Sequence, residues 1–300
     1  MNKVINIVFT IILLSLILLV YLKIDAITDF FTEFLTSDKT AEVKEKNEYA
    51  RNFNYIRFEN SDVFVPVDEE SILNIFYNIF NNGYDEFTFY CPSEYESCLD
   101  DVKVIANDNV LLSKVNDYVH PYNSFKSLNT KVSSDGAITV SVLKNYSDSE
   151  IDELNKRVSD ILYELNVNDL SDEIEKIRSI HNYIIKNVEY DENMANNGTS
   201  SYRSNTAYGA LVQGYAICTG YSDAMALFLD KLDIPNIKIS SDEHVWNLVY
   251  LNGSWVHLDL TWNDTNNPKY QMSYFLIDTD TLFKLDPEEH LFDESFYLEA

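Results

Sequence analysis

Between the runs "HVWNLVYL" and "SWVHLDLTW" stands Asn252-Gly253, and no other dipeptide restricts the fold of this chain so tightly. Asn and Gly both tolerate positive φ, which a two-residue type I′ turn requires at its two central positions, and the twist of that turn suits an antiparallel hairpin. The turn sets a register in which Leu251 faces Ser254, Tyr250 faces Trp255 and Leu248 faces His257. Continued to the open end, it sets Trp246 against Asp259 and His244 against Thr261, with 244, 246, 259 and 261 on one face. His244 and Asp259 are then diagonal neighbours with Cα atoms about 7–8 Å apart, a gap that an imidazole and a carboxylate close with a hydrogen bond. A slip of one residue would turn them to opposite faces. His257 shares the face but lies farther from the open end, and is expected to pack.

Upstream, "QGYAICTGYSDAMALFLDKL" (Gln213 to Leu232) places Cys218 between two glycines at the start of an expected amphipathic helix with apolar positions Ala224, Leu227, Phe228 and Leu232. A thiol at a helix N-terminus faces unpaired N–H groups and the positive end of the helix dipole, which favours thiolate, the form a nucleophile needs. The feature alone is ambiguous, because free cysteines also pack as small apolar residues.

Taken together, "GYAICTGYSDAMALFL", "HVWNLV" and "WVHLDLTWND" resemble the transglutaminase-like superfamily of papain-type thiol enzymes, in its bacterial extracytoplasmic branch, over roughly Leu170 to Asp278. The resemblance implies an α+β fold in which a helix bearing Cys218 packs on an antiparallel sheet bearing His244 and Asp259. It implies that Cys218 is the nucleophile, His244 the base and Asp259 the residue that orients the imidazole. Protein or peptide amides would be the substrates. One oxyanion donor would be the Cys218 N–H, and Gln213 and Tyr208 are candidates for the second by proximity in sequence. Trp246 and Trp262 either wall the cleft or belong to the core. Nothing here resembles the calcium-binding loops of animal transglutaminases, and no cofactor is expected. The rival reading is a surface binding or scaffold module that keeps the fold without turnover, though such modules often lose a triad residue. A metal site of Cys, His and Asp lacks a fourth clustered ligand.

The rest of the chain places this core. Val4 to Leu22 is uncharged, and a helix of that length reaches about 28 Å, close to the thickness of a bilayer core. Residues 1–23 are therefore expected to be an uncleaved single-pass anchor, with the N-terminus cytoplasmic and the remainder exported. Residues 24–54 are polar and charged and read as a stalk. Residues 55–166 read as a small α+β module: a helix over Glu69–Asn81, the strand "EFTFYC", a helix from Glu94, a hairpin turning at Ser134-Asp135-Gly136, and a helix over Glu150–Leu165 capped by Ser147 or Asp148. Residues 167–300 form the transglutaminase-like domain, opening with a helix capped by Ser171 in which His181 lies beside the apolar stripe. Cys91 and Cys98 are separated by "PSEYES", where Pro92 and Ser93 can turn the chain enough to bring their Cα atoms within disulfide range, and an oxidising compartment would preserve the bridge. With 49 acidic residues against 22 Lys and Arg, the formal charge of −27 opposes binding to nucleic acid.

Overall fold

The computed structural model describes residues 40–133 and 136–300. The expected anchor over 1–23 and about half of the expected stalk lie outside them, and among the described residues no helix is long and apolar enough to cross a membrane.

Helix α1 (Glu69–Asn81) starts where the Asp68 carboxylate accepts the Ser71 N–H at 2.8 Å and the Ser71 hydroxyl accepts the Asp68 N–H at 2.9 Å, a reciprocal cap that satisfies two otherwise orphaned donors. Its residues Ile72, Ile75, Phe76 and Ile79 recur at helical spacing and are buried. Strand β1 (Glu86–Tyr90) follows. Helix α2 (Cys98–Asn107) begins at Cys98 rather than Glu94, because two tight turns, Tyr95 N–H to Pro92 O and Cys98 N–H to Tyr95 O, use up the intervening chain. Those turns bring Cys91 and Cys98 to a Cα separation of 5.8 Å, and the two are joined as a disulfide. After α3 (Asn109–Asn116), strands β2 (Phe125–Val132) and β3 (Ala137–Lys144) form the expected hairpin, and β1 adds to it in the antiparallel order β1-β3-β2. Residues 134 and 135 of that turn lie outside the described residues. Helix α4 (Asp148–Glu164) is capped by Ser147, whose N–H donates to Glu150 Oε2 at 2.9 Å.

Helix α5 (Glu173–Asn187) is capped by Asp172 and not Ser171; the Asp172 carboxylate accepts the Ile174 N–H at 3.0 Å. Strand β4 (Glu189–Tyr190) and helix α6 (Glu192–Asn197) lead to a π-turn at Gly209–Gln213, then to β5 (Tyr215–Ala216), which pairs in parallel with β4. Helix α7 (Cys218–Lys231) runs into β6 (Asn236–Ser240), β7 (Val245–Leu251), β8 (Ser254–Leu258), the single turn α8 (Leu260–Asn263), β9 (Phe275–Ile277) and α9 (Thr279–Leu285). Strands β6 to β9 form one antiparallel sheet in chain order. The Asn252-Gly253 turn has φ of +52° and +86°, as type I′ requires, and the pairs Leu251–Ser254, Tyr250–Trp255 and Leu248–His257 are those its register dictates.

Side chains alternate along β7, so its two faces serve two hydrophobic clusters. Trp246 and Leu248, with Ile237 and Ile239 of β6, join the cluster of α1, β1, α2, α3 and β3. Val249 and Leu251 join the cluster of α4, α5 and α7. Residues 55–166 thus share both cores with the sheet rather than enclosing one of their own, and residues 41–300 are one compact unit. The end of the expected stalk also belongs to this unit. The buried Arg51 guanidinium donates to Asp230 Oδ2 at 2.8 Å, to Asn236 O at 2.9 Å and to Tyr118 O at 3.2 Å.

Candidate functional site

Cys218 is the first residue of α7 and is partly exposed. Helix α7 is central rather than amphipathic: every residue from Gly220 to Leu229 is buried, and the helix packs against β6, β7, α5 and α8. Its entry is tight. A Cβ on Gly220 would sit 2.3 Å from Ser204 O and 3.0 Å from the Ala216 Cβ, so only glycine lets the first turn lie against the 204–206 backbone. From β7, Asn247 Nδ2 donates to Ser222 O at 3.0 Å. This bond ties the helix four residues past Cys218 to the strand three residues past His244.

His244 lies one residue before β7, in a turn where its N–H donates to Ser241 Oγ at 3.2 Å and its carbonyl accepts the Ser241 N–H at 2.9 Å. The hairpin ladder ends at the Asn247–Leu258 pair, so the expected facing pairs Trp246–Asp259 and His244–Thr261 do not form. Asp259 instead leaves the ladder to cap α8, where its Oδ1 accepts the Trp262 N–H at 3.1 Å, and Thr261 becomes helical. The cap still presents Oδ2 to His244, whose Nε2 lies 2.6 Å away in a site where both side chains are almost wholly buried. Burial alone would lower the imidazole's pKa. The charge and hydrogen bond of Asp259, with a hydrogen bond to Cys218, outweigh it and raise the value to about 10. Burial would likewise raise Asp259, but His244 and then His290 hold its carboxyl well below the usual range. With Nε2 committed to Asp259, Nδ1 is the His244 nitrogen left for the thiol.

His290 was not singled out in sequence. It is fully buried, with Nε2 2.9 Å from Asp259 Oδ2. His244, Asp259 and His290 therefore meet at one point. At 2.6 and 2.9 Å their atoms are at hydrogen-bond spacing, closer than two ligands about 2.0–2.2 Å from a tetrahedral ion would lie. Tyr190 of β4 is a second addition. Its hydroxyl pKa is raised by burial first and then by the charges of Cys218, Glu192 and Glu289.

The remaining sequence candidates separate. Trp246 is core: it is buried, stacks on His244 at 5.6 Å, and donates from Nε1 to His257 Nδ1 at 3.0 Å. Trp262 is half-buried at the edge of the site, with its ring 6.4 Å from His244. Tyr208 is directed elsewhere, donating to Glu153 Oε2 of α4 at 2.9 Å. The Gln213 side-chain oxygen accepts the Arg203 N–H at 2.7 Å, which leaves its NH2 as the group able to donate. His257 and His181 are packed. Burial lowers their pKa values to about 3 and about 4, and each lies between uncharged hydrogen-bond partners.

Residues 162–260 match the family model of the Transglutaminase-like superfamily, a stretch that holds Cys218, His244 and Asp259. That stretch is transglutaminase-like. A crystal structure of a TGase aligns with a TM-score of 0.36 and 15% identity over 51% of this chain and 49% of that one, so the chain spans about half the length of that neighbour. No curated protein matches the chain.

Proposed function

We propose that this transglutaminase-like chain is a thiol enzyme acting on protein or peptide amides. The observation that carries the reading is the 2.6 Å bond from His244 Nε2 to Asp259 Oδ2, made by an imidazole whose pKa Cys218 also helps to raise. His244 Nδ1 takes the thiol proton and the sulfur attacks the amide carbonyl carbon. As the C–N bond breaks, Nδ1 returns the proton to the leaving nitrogen, releasing ammonia or an amine and leaving a thioester on Cys218. Water or a second amine then attacks the thioester, giving a proton to Nδ1 that passes back to the departing sulfur. The Cys218 N–H, in the first turn of α7 and without an intrahelical acceptor, can stabilise the oxyanion. The same thioester serves hydrolysis and transamidation, so both products belong in the assay.

We further propose that the domain lies at the cell surface, with the apolar segment Val4–Leu22 as its anchor and the N-terminus in the cytoplasm. The Cys91–Cys98 disulfide supports an oxidising compartment. Protease added to intact cells should then remove the described domain, and protection until lysis would refute this placement.

The test of the chemistry is Cys218→Ala. It should abolish ammonia release from glutamine-containing peptides and amine incorporation, with circular dichroism and melting temperature unchanged. Wild-type turnover in that variant would overturn the enzyme reading. A folded wild-type protein that forms no trappable thioester would favour the scaffold module.

A further inference from the structure

Nothing in the chemistry above uses His290, yet its surroundings differ from those of the packed histidines. His257 and His181 each accept a hydrogen bond from a neutral donor, Trp246 Nε1 and Asn263 Nδ2 respectively, both at 3.0 Å. Both nitrogens of His290 instead face carboxylates: Nε2 is 2.9 Å from Asp259 Oδ2 and Nδ1 is 3.3 Å from Asp286 Oδ2. Asp286 is itself anchored, with Oδ1 accepting the Glu288 and Glu289 N–H groups at 3.1 and 3.4 Å. Four rings fix the plane of the imidazole: Tyr274 stacked at 5.1 Å, and His244, Trp246 and Trp262 edge-on at 5.2, 4.8 and 5.4 Å. An apolar side chain would fill this space without burying a polar ring, so filling alone does not account for a histidine here.

The geometry points to His290 as a positioning residue for the Asp259–His244 pair, a second imidazole donor that shares Oδ2 with His244 and sets both the rotation of the carboxylate and the share of its charge that His244 feels. A carboxylate only accepts, so both Nε2 atoms on Oδ2 carry hydrogens. With Oδ1 held by the Trp262 N–H, the carboxylate has donors on both oxygens and cannot rotate without breaking one of these bonds. His244 is thereby kept as the Nε2–H tautomer with Nδ1 free for the thiol. Because part of the carboxylate's charge goes to His290, the His244 imidazolium stays acidic enough to return its proton to the leaving nitrogen. The titratable groups facing these two imidazoles, besides Asp259, are Cys218 from α7, His257 from β8, Tyr274 ahead of β9 and Asp286 after α9; beyond them, His181 of α5 acts on Asp259 and Glu289 on Tyr274. Only the turnover arm of the test rests on the proposed amide chemistry.

The experiment follows the His244 ring by NMR across pH in the full chain and measures kcat and KM alongside, for wild type, His290→Leu and His290→Gln. In His290→Leu the His244 midpoint should rise by about one pH unit, the tenfold effect that a hydrogen bond to a charged group can carry. Turnover should fall about 10–100-fold, as when an outer partner of an active group is lost, with KM changed less than about threefold. His290→Gln, whose amide N–H can still donate to Oδ2, should restore both. A His290→Leu protein that melts lower but keeps the wild-type midpoint and kcat would overturn the proposal. Should that variant not fold, imidazole nitrogen spectra of the wild type decide the matter: a hydrogen on Nε2 of both rings supports the proposal, and a bare Nε2 on His290 overturns it. If the wild type turns over no amide, a shifted His244 midpoint in the variant still supports the positioning role while the thiol-enzyme reading fails.

Discussion

Asp259→Asn exchanges one oxygen for a nitrogen, and the site should fail through hydrogen-bond polarity rather than loss of fold. Asp259 receives three donors: the Trp262 N–H at 3.1 Å on Oδ1, and His244 Nε2 at 2.6 Å and His290 Nε2 at 2.9 Å on Oδ2. Asn has one acceptor oxygen. If that oxygen keeps the helix cap, a role Asn fills well, its NH2 faces two imidazole nitrogens that must both become acceptors. His244 then moves its hydrogen to Nδ1, where the thiol proton has to arrive. If the amide is reversed, the NH2 meets the Trp262 N–H. The electrostatics point the same way. With Asp259 the His244 value is raised to about 10; without the carboxylate, burial dominates and the value drops below the ordinary 6.5. A fall of more than three units corresponds to about 5 kcal/mol less preference for the imidazolium.

In a Ser-His-Asp triad the equivalent change costs about 10⁴ in turnover, and a loss of that order is expected here. Stability should fall by only about 1–2 kcal/mol, because the imidazole can shed its proton and the cap survives. The assay is ammonia release together with a His244 NMR titration and urea unfolding. Turnover within about tenfold of wild type, or a His244 that still holds its proton at about pH 9, would refute the argument.

Three further outcomes are expected. His244 has a folded pKa raised above its unfolded value, so its contribution to stability is complete below about pH 6.5 and is lost as pH rises through about 10; the melting temperature should decline across that window, and decline less in His244→Gln. The depressed Asp259 value describes the same bond from the acid side, so it places acid loss of the pair well below the usual carboxylate range. Gly220→Ala forces a Cβ to 2.3 Å from a backbone oxygen that cannot step aside, and should cost about 1–3 kcal/mol in urea unfolding; an unchanged midpoint would mean the helix start has slack. Denatured, unreduced protein should react with one equivalent of thiol reagent, at Cys218, and reduction of the Cys91–Cys98 bridge should lower stability by about 2 kcal/mol; three reactive thiols would exclude the bridge.

What the sequence made legible was whatever a local rule governs. Asn252-Gly253 set the register of β7 and β8, the apolar spacing of Ile72, Ile75, Phe76 and Ile79 marked α1, and Cys218 fell at the start of a helix. The expectations failed where a local signal competed with a distant one. Asp259 is expected to continue the strand opposite Trp246, and it caps a helix instead. The cap prevailed because its carboxylate takes the Trp262 N–H at 3.1 Å while its own N–H goes to Tyr274 O at 3.0 Å, on a chain that returns only later as β9. Helix α7 carries Ser222 and Asp223 and so looks two-faced, yet both are buried, each with a partner from elsewhere in the fold: Asn247 donates to the Ser222 carbonyl, and Lys238 and Tyr146 donate to the Asp223 carboxylate.

His290 shows where reading by period must stop. It meets Asp259 across 31 residues and His181 meets Asn263 across 82, and no local spacing rule reaches so far. Only the scarcity of the residue, five histidines in the chain, sets it apart. Among those five, His244 could be paired with its carboxylate in advance because the Asn252-Gly253 turn returns β8 beside β7, although the last step, the Asp259 cap, lies beyond the ladder. His290 reaches the same carboxylate oxygen by way of β9 and α9, and that path is set only when the sheet, its last helix and the Asp286 turn have assembled around it.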